Sequence, residues 1–329
     1  MSYFLYAETA FHHEGDYNYL ISLIDSAAEI GCHGIKFQIL LDLNDFMSSL
    51  HPDFYKVKEW MFSSKQWIEL LEYSNSKGLE IVAMPCDLTA VNLIESLPFT
   101  IKYYDIHSVS FCDKKLLSAI KDTGKKVILG VGGRTFSEII SACDFFEKQL
   151  TTLMVGFQSY PSNLSDVMIG KIRSLKELFP ELIIGYADHT LYNNDYVVKS
   201  LEYAYILGAR VFEKHITLQE GIKRVDYESA VSKHKFKKMK RNLDYLTQLL
   251  PEYNYKNFMF CNKEISYRNR QKILVALMDI RAGTKLTTYN TVLKMAGNIN
   301  GFTSIEEIEG SKVIVDLKKD EPITREKIK

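Results

Sequence analysis

The sequence predicts an α/β fold, a closed (β/α)8 barrel followed by a small second domain. Three observations predict it. Strand-like and helix-like stretches alternate over the first 250 residues, and parallel strands need crossover helices. Two neighbouring candidate strands each end in an acid and a histidine, Asp188-His189 and Glu213-Lys214-His215. Near Pro251 the character of the chain changes, and a short internal repeat follows.

Taken in order, the candidate strands are 3–8, 34–38, 80–84, 103–106, 126–130, 153–157, 182–186 and 210–215. Each is short, apolar and bounded by turn residues. Amphipathic helix candidates are 17–30, 65–76, 114–122, 137–148, 165–178, 195–207 and 233–250. In the first of these, Leu20, Ile21, Leu23, Ile24 and Ala27 form an apolar side. An open doubly wound sheet is the alternative that this pattern leaves standing. The barrel is expected over residues 1–250, and the polar-aromatic 251–266 reads as a linker. In the domain 267–329, Asp279-Ile280-Arg281-Ala282-Gly283-Thr284-Lys285-Leu286-Thr287 is echoed by Asp316-Leu317-Lys318-Lys319-Asp320-Glu321-Pro322-Ile323-Thr324. Each copy reads as a hydrophobic strand, a turn, then Leu-Thr or Ile-Thr opening a short helix.

The 329 residues suffice for one large and one small domain. The 41 basic and 41 acidic side chains balance, so neither nucleic acid nor an anionic membrane surface is expected as a bulk partner. Five dispersed cysteines without CxxC spacing read as reduced thiols of a cytosolic protein. The start, MSYFLYAETAF, has no basic region and reaches Glu8 too soon for a signal peptide. No apolar run has membrane-spanning length. A cytoplasmic protein is expected.

At the C-terminal ends of parallel barrel strands, side chains share one rim. His189 and His215 could therefore grip one cation, with Asp188 and Glu213 orienting rings or handling protons. The plainer alternative is two surface histidines at loop starts.

GYADHTL followed by LGARVFEKHITL resembles the paired GYSDHTLG and LGAKVIEKHFTL signatures of the N-acetylneuraminate (sialic acid) synthase family. The resemblance implies condensation of phosphoenolpyruvate with an N-acylated amino sugar. It also implies a divalent metal, Mn²⁺ or Mg²⁺, on His189 and His215. The repeat, with Ile308-Glu309-Gly310-Ser311-Lys312, resembles the antifreeze-like (SAF) domain that closes such synthases. So small a domain has a marginal core, and the expectation is a homodimer with exchanged small domains.

Residue by residue, Glu8 matches the glutamate of AEIGxNHxG, which contacts the acceptor and assists proton transfer, while His12 replaces the asparagine. Lys36 and Gln38 lie in the match to VKFQ, where the lysine binds phosphoenolpyruvate. Alternation puts the two on one strand face. Ser108 survives from the strand-four motif, Tyr160 from SYP at the acceptor pocket, and Asp226 stands at the acid of GPD. Gly132-Gly133-Arg134 could cradle phosphate, with Arg134 as a substrate-binding candidate. Several positions depart from the pattern. Asp105 stands where the family has lysine, Met84 replaces a hydroxyl, and Met295 replaces an arginine. An acceptor other than N-acetylmannosamine is therefore expected. Two other readings stay open: a non-catalytic or substrate-shifted homologue, and another metal-assisted barrel lyase or hydrolase.

Overall fold

The structure, a computed structural model, describes residues 3–156, 161–250, 260–268, 270–297 and 299–329. The chain divides into two compact units, Met1–Pro251 and Glu252–Lys329.

In the first unit eight parallel strands close on themselves: β1 Phe4–Glu8, β2 Gly34–Ile39, β3 Glu80–Pro85, β4 Tyr103–Ile106, β5 Val127–Gly130, β6 Leu150–Gly156, β7 Ile183–Asp188 and β8 Val211–Thr217. Closure is the β1–β8 pairing, from Phe4 opposite Val211 to Glu8 opposite His215. An open doubly wound sheet is thereby excluded. A short β9, Val231–Ser232, extends the rim beside β8. The helices are α1 Tyr17–Ile30, α2 Leu43–Phe46, α3 Phe54–Glu59, α4 Ser64–Ser76, α5 Leu88–Glu95, α6 Lys114–Asp122, α7 Phe136–Phe146, α8 Lys171–Leu178, α9 Ser200–Ile206 and α10 Lys233–Leu249.

Helix boundaries follow local chemistry. Asp16 caps α1 through the Tyr19 amide, and Gly31 at φ 79° ends it in the left-handed conformation that a Cβ disfavours. Capping boxes open α4 (Ser63, Gln66) and α7 (Thr135, Glu138). Two expected helices are shorter than their sequence pattern: α8 begins only at Lys171 and α9 only at Ser200. Short polar side chains ahead of α9, Asn193 to Asp195, favour turns instead. The crossover α5, unanticipated, buries Ala90, Val91, Leu93 and Ile94 and exposes Thr89, Asn92 and Glu95, an amphipathic period only eight residues long.

Strand alternation sorts the interior into two cores. Outward residues such as Leu5, Ile35, Phe37 and Phe212 pack under the helices. Inward ones, Phe4, Tyr6, Val82, Tyr103, Ile128, Met154 and Val211, fill the lumen on the N-terminal side of the strands. Gly185 lets Met154 into that lumen, since a Cβ there would sit 2.1 Å from the Met154 sulfur. The lumen above this plug, toward the strand C-termini, carries the polar side chains.

The second unit holds α11 (Asn262–Arg268) and an antiparallel pair, β10 Ile273–Ala276 with β11 Thr291–Lys294. Its sequence repeat is a structural one. Ile280 and Leu317, equivalent in the two copies, exchange both backbone hydrogen bonds at 2.8 Å. Asp316 accepts from the Ala282 amide at 2.7 Å, and Asp279 reciprocates by accepting from the Lys319 amide at 2.9 Å. Leu286 and Ile323, again equivalent, are buried in the core. The expected second-copy strand, 313–317, is reduced to isolated bridges. The first copy's Leu-Thr opens a turn, whereas Thr324 caps a 3-10 turn, Arg325–Lys327.

Candidate active site

The mouth of the barrel encloses a cavity of about 430 Å³. Inward-facing residues at the strand ends line it: Glu8 from β1, Lys36 and Gln38 from β2, Asp105 from β4, Glu213 and His215 from β8. His189 just after β7, Ser108 after β4 and Asp226 in the loop after β8 complete the polar lining.

His189, Glu213 and His215 are all buried, with ligand atoms within 4.8 Å of one another. The two Nε2 atoms stand 3.3 Å apart. The Ala187 carbonyl lies 3.2 Å from His189 Nδ1. A proton held there leaves Nε2 as a lone pair aimed at the cavity, the usual second-shell arrangement for a metal-bound imidazole. Burial drives the His189 pKa down to about 4 and that of His215 well below the ordinary value. Both rings are neutral at pH 7, as ligation requires. Two imidazoles and a carboxylate suit a divalent cation, so the residues present fit the expected metal.

Beside this triad lies a second cluster. The Lys36 ammonium contacts Glu8 at 2.8 Å, Asp105 at 2.9 Å and Glu213 at 2.8 Å, all buried. Burial works against the charge on Lys36, but Asp105 and Glu213 more than offset it and hold its pKa above the ordinary lysine value. Burial and the neighbouring Glu213 charge push Asp105 up to about 6, against the pull of Lys36. Glu213 goes the other way: burial raises its pKa, and Lys36, His189 and the Tyr6 hydroxyl at 2.8 Å together bring it below the usual range. Glu8 is fixed through its other oxygen by the Ala10 amide at 2.7 Å and by Gln38 at 3.2 Å.

Not every sequence candidate reaches the cavity. Asp188 does not line it. Alternation turns Ala187 and His189 inward and Asp188 outward, where it pairs with Lys214 at 2.7 Å and accepts from Ser200 at 3.0 Å. Burial raises its pKa, yet Lys214 and Thr190 hold it below the ordinary value. The Arg134 guanidinium also stays off the cavity. It donates to the Ser108 carbonyl at 2.6 Å and stacks 4.2 Å from the Phe111 ring. Tyr160 lies outside the described residues. Asp226 sits at φ 62°, an uncommon backbone for a non-glycine residue, with Oδ2 3.9 Å from His215 Nδ1. Asp105 pairs with Lys36 at 2.9 Å, while Lys102 pairs with Glu80 at 3.1 Å.

Sequence reasoning missed Tyr6 as the support of Glu213. Its signal was available, since Tyr6 stands two residues before Glu8 on the same strand face. His107, which also lines the cavity, carried no such signal from its loop.

Comparison with known proteins followed the same two-part division. Residues 23–254 match the model of the NeuB family, and residues 271–329 match that of the SAF domain. The chain is 27% identical to the N,N'-diacetyllegionaminic acid synthase of Campylobacter jejuni, over 96% of this chain and 97% of that protein. Among solved structures, the N-acetylneuraminic acid (sialic acid) synthetase of Leptospira borgpetersenii superposes with a TM-score of 0.71 at 28% identity, covering 82% of this chain and 92% of that one. A spore coat polysaccharide biosynthesis protein E from Chromobacterium violaceum superposes over 99% of both chains with a TM-score of 0.83 at 20% identity, a likeness of fold.

Proposed function

The chain belongs to the NeuB family and closes with a SAF domain, and on that premise we propose a metal-assisted synthase joining phosphoenolpyruvate to an N-acylated amino-sugar aldehyde, with a nonulosonic acid and phosphate as products. One observation carries the reading: a divalent-cation donor set, His189, Glu213 and His215, shares a single cavity with Glu8, Lys36 and Gln38. A bound Mn²⁺ or Mg²⁺ would supply a Lewis acid that polarises the sugar aldehyde.

The chain's own residues do the rest. Glu8, pinned by the Ala10 amide and Gln38, is held at the mouth where it can accept or return a proton. Ser108, Gln38 and Asp226 offer hydrogen-bonding groups to a polyol. The apolar plug below excludes water from the side opposite the mouth. Asp188 serves this site only indirectly, by fixing the strand ends through Lys214.

A homodimer with exchanged SAF domains belongs to the same proposal. Support comes from apolar side chains of the second unit left exposed, Phe260, Ile265, Tyr267 and Met295. A cytoplasmic location fits a consumer of phosphoenolpyruvate, and among the described residues no helix is long and apolar enough to cross a membrane. A second reading, a homologue with shifted substrates, is favoured by the three-carboxylate clamp on Lys36.

The test is incubation with phosphoenolpyruvate, Mn²⁺ and a panel of amino sugars, following phosphate release and product mass. A nine-carbon acid with stoichiometric phosphate is the expected result. No product from any sugar, with metal and donor both bound, would refute the reading.

A further inference from the structure

We propose that the groove between α6 and α7, on the outside of the barrel wall, is a second ligand site, for a small carboxylate with an apolar body. The site is separate from the mouth and does not depend on the reaction proposed there.

The groove has a volume of about 520 Å³, within the range of about 300–1,000 Å³ usual for small-molecule sites. It opens the helix layer down to the strands. Its floor is Ile106 at the end of β4 and Leu129 in β5, with Phe146 from α7. Ile106 also lines the mouth cavity, so it forms the partition between the two. The sequence explains the opening. Where the two helices face each other they carry short side chains, Ser118 on α6 and Ser141 and Ala142 on α7, and these do not fill the seam.

Shape points to a small molecule. The apolar walls, Phe111, Leu117 and Phe145, are half-buried and none protrudes. A face that docks a protein presents protruding apolar anchors instead. It also draws on about 20–30 residues a side, whereas 13 line this groove among the described residues.

Charge points to an anion. Lys114 is the one cation lining the groove, and it forms no ion pair among the described residues, while its neighbour Lys115 lies 3.9 Å from Asp45. The one lining acid, Glu138, is already committed. It accepts from the Thr135 amide at 2.7 Å and hydroxyl at 3.0 Å, and the Arg134 guanidinium stands 3.8 Å away. Lys114 and Ser118 are four residues apart and therefore on one face of α6. Together they offer an ammonium and a hydroxyl to a carboxylate whose apolar body lies on Phe111, Leu117 and Phe145.

The experiment is calorimetric titration of two such acids into the full chain: decanoate for a chain-like source, 2-naphthoate for a flat aromatic one. At least one should bind with a Kd of about 1 mM or tighter, and the tighter of the two identifies the source. Lys114→Met should weaken binding about threefold, and Lys114→Arg should restore it. Ala142→Phe fills the groove and should weaken binding by about tenfold or more. Ser118→Phe, from the exposed rim opposite, repeats that test should Ala142→Phe fail to fold. Cys112 on the rim gives a second readout, because Cys261 in the second unit is exposed as well and serves as its control. The bound acid should slow iodoacetamide alkylation of Cys112 severalfold and leave Cys261 unchanged, as read by mass spectrometry. Binding of neither acid up to about 10 mM, or affinities equal to wild type in Lys114→Met and in the filled variants, overturns the proposal. So does a Cys112 that is unreactive before any acid is added, since protein would then cover the groove.

Discussion

Lys214 Nζ donates to Asp188 Oδ2 across 2.7 Å, and solvent reaches neither side chain. The other N–H groups of the ammonium go to the carbonyls of Asp188 at 3.2 Å and Thr190 at 3.1 Å. The pair binds the ends of β7 and β8 from outside the barrel, one residue from each histidine of the triad. Removing one partner strands a buried charge, so Lys214→Met should cost about 3–5 kcal/mol. The double variant Asp188→Leu/Lys214→Met should recover most of that loss. Urea unfolding of the two variants checks the difference, and equal destabilisation would contradict it.

Metal affinity separates the inward from the outward residues. His189→Ala and His215→Ala should each weaken Mn²⁺ binding by about tenfold to a hundredfold or more. Asp188→Asn should change it by much less, since Asp188 does not face the cavity. Titration calorimetry with Mn²⁺ alone gives the ranking without any substrate.

Lys36→Met should invert the acid dependence of stability. The variant leaves three buried carboxylates facing one another, which raises their pKa values above those of the unfolded chain. Its folded state then binds protons more readily than the unfolded state, so stability falls as pH rises and returns as pH drops. A deficit of about 3–5 kcal/mol at pH 8 should shrink toward pH 5.5. Melting curves at the two values test it.

The wild type should instead lose stability as pH falls. Burial holds His13 down to about 3, and His107 and His189 down to about 4, against an ordinary 6.5. These rings stay neutral in the fold while the unfolded chain takes up protons. Their contribution is full above pH 6.5 and is lost progressively as pH falls toward 4, at about 1.4 kcal/mol per pH unit for each group. His13 stacks on Phe62 with ring centroids 4.6 Å apart. His13→Phe should therefore flatten the slope between pH 6.5 and 4.5 in denaturant titrations.

The barrel was legible because strand and helix periods alternate cleanly, and the histidine pair because both rings end adjacent strands. Alternation would also have turned Asp188 outward: Gly185, Ala187 and His189 share a face, and Asp188 cannot. The clamp was not legible. Asp105 and Glu213 lie 69 and 177 positions from Lys36 in the chain, and only closure of the sheet brings the three together. Alpha-helical limits failed where polar turn residues interrupted the period, as ahead of α9, or where the helix was too short for its period to stand out, as in the eight residues of α5. In the second unit the repeat was visible, but the pairing of one copy with the other was a property of three dimensions.

The apolar plug of Phe4, Val82, Tyr103, Ile128, Met154 and Val211 makes the barrel a vessel open at one end. Protons of the Glu8, Lys36, Asp105 and Glu213 cluster exchange with bulk water through the mouth alone. A ligand seated there acts as a stopper and fixes how many protons the cluster contains. Occupancy and protonation then become a single event with a countable stoichiometry, and the heat of binding acquires a component set by the ionisation enthalpy of the surrounding buffer.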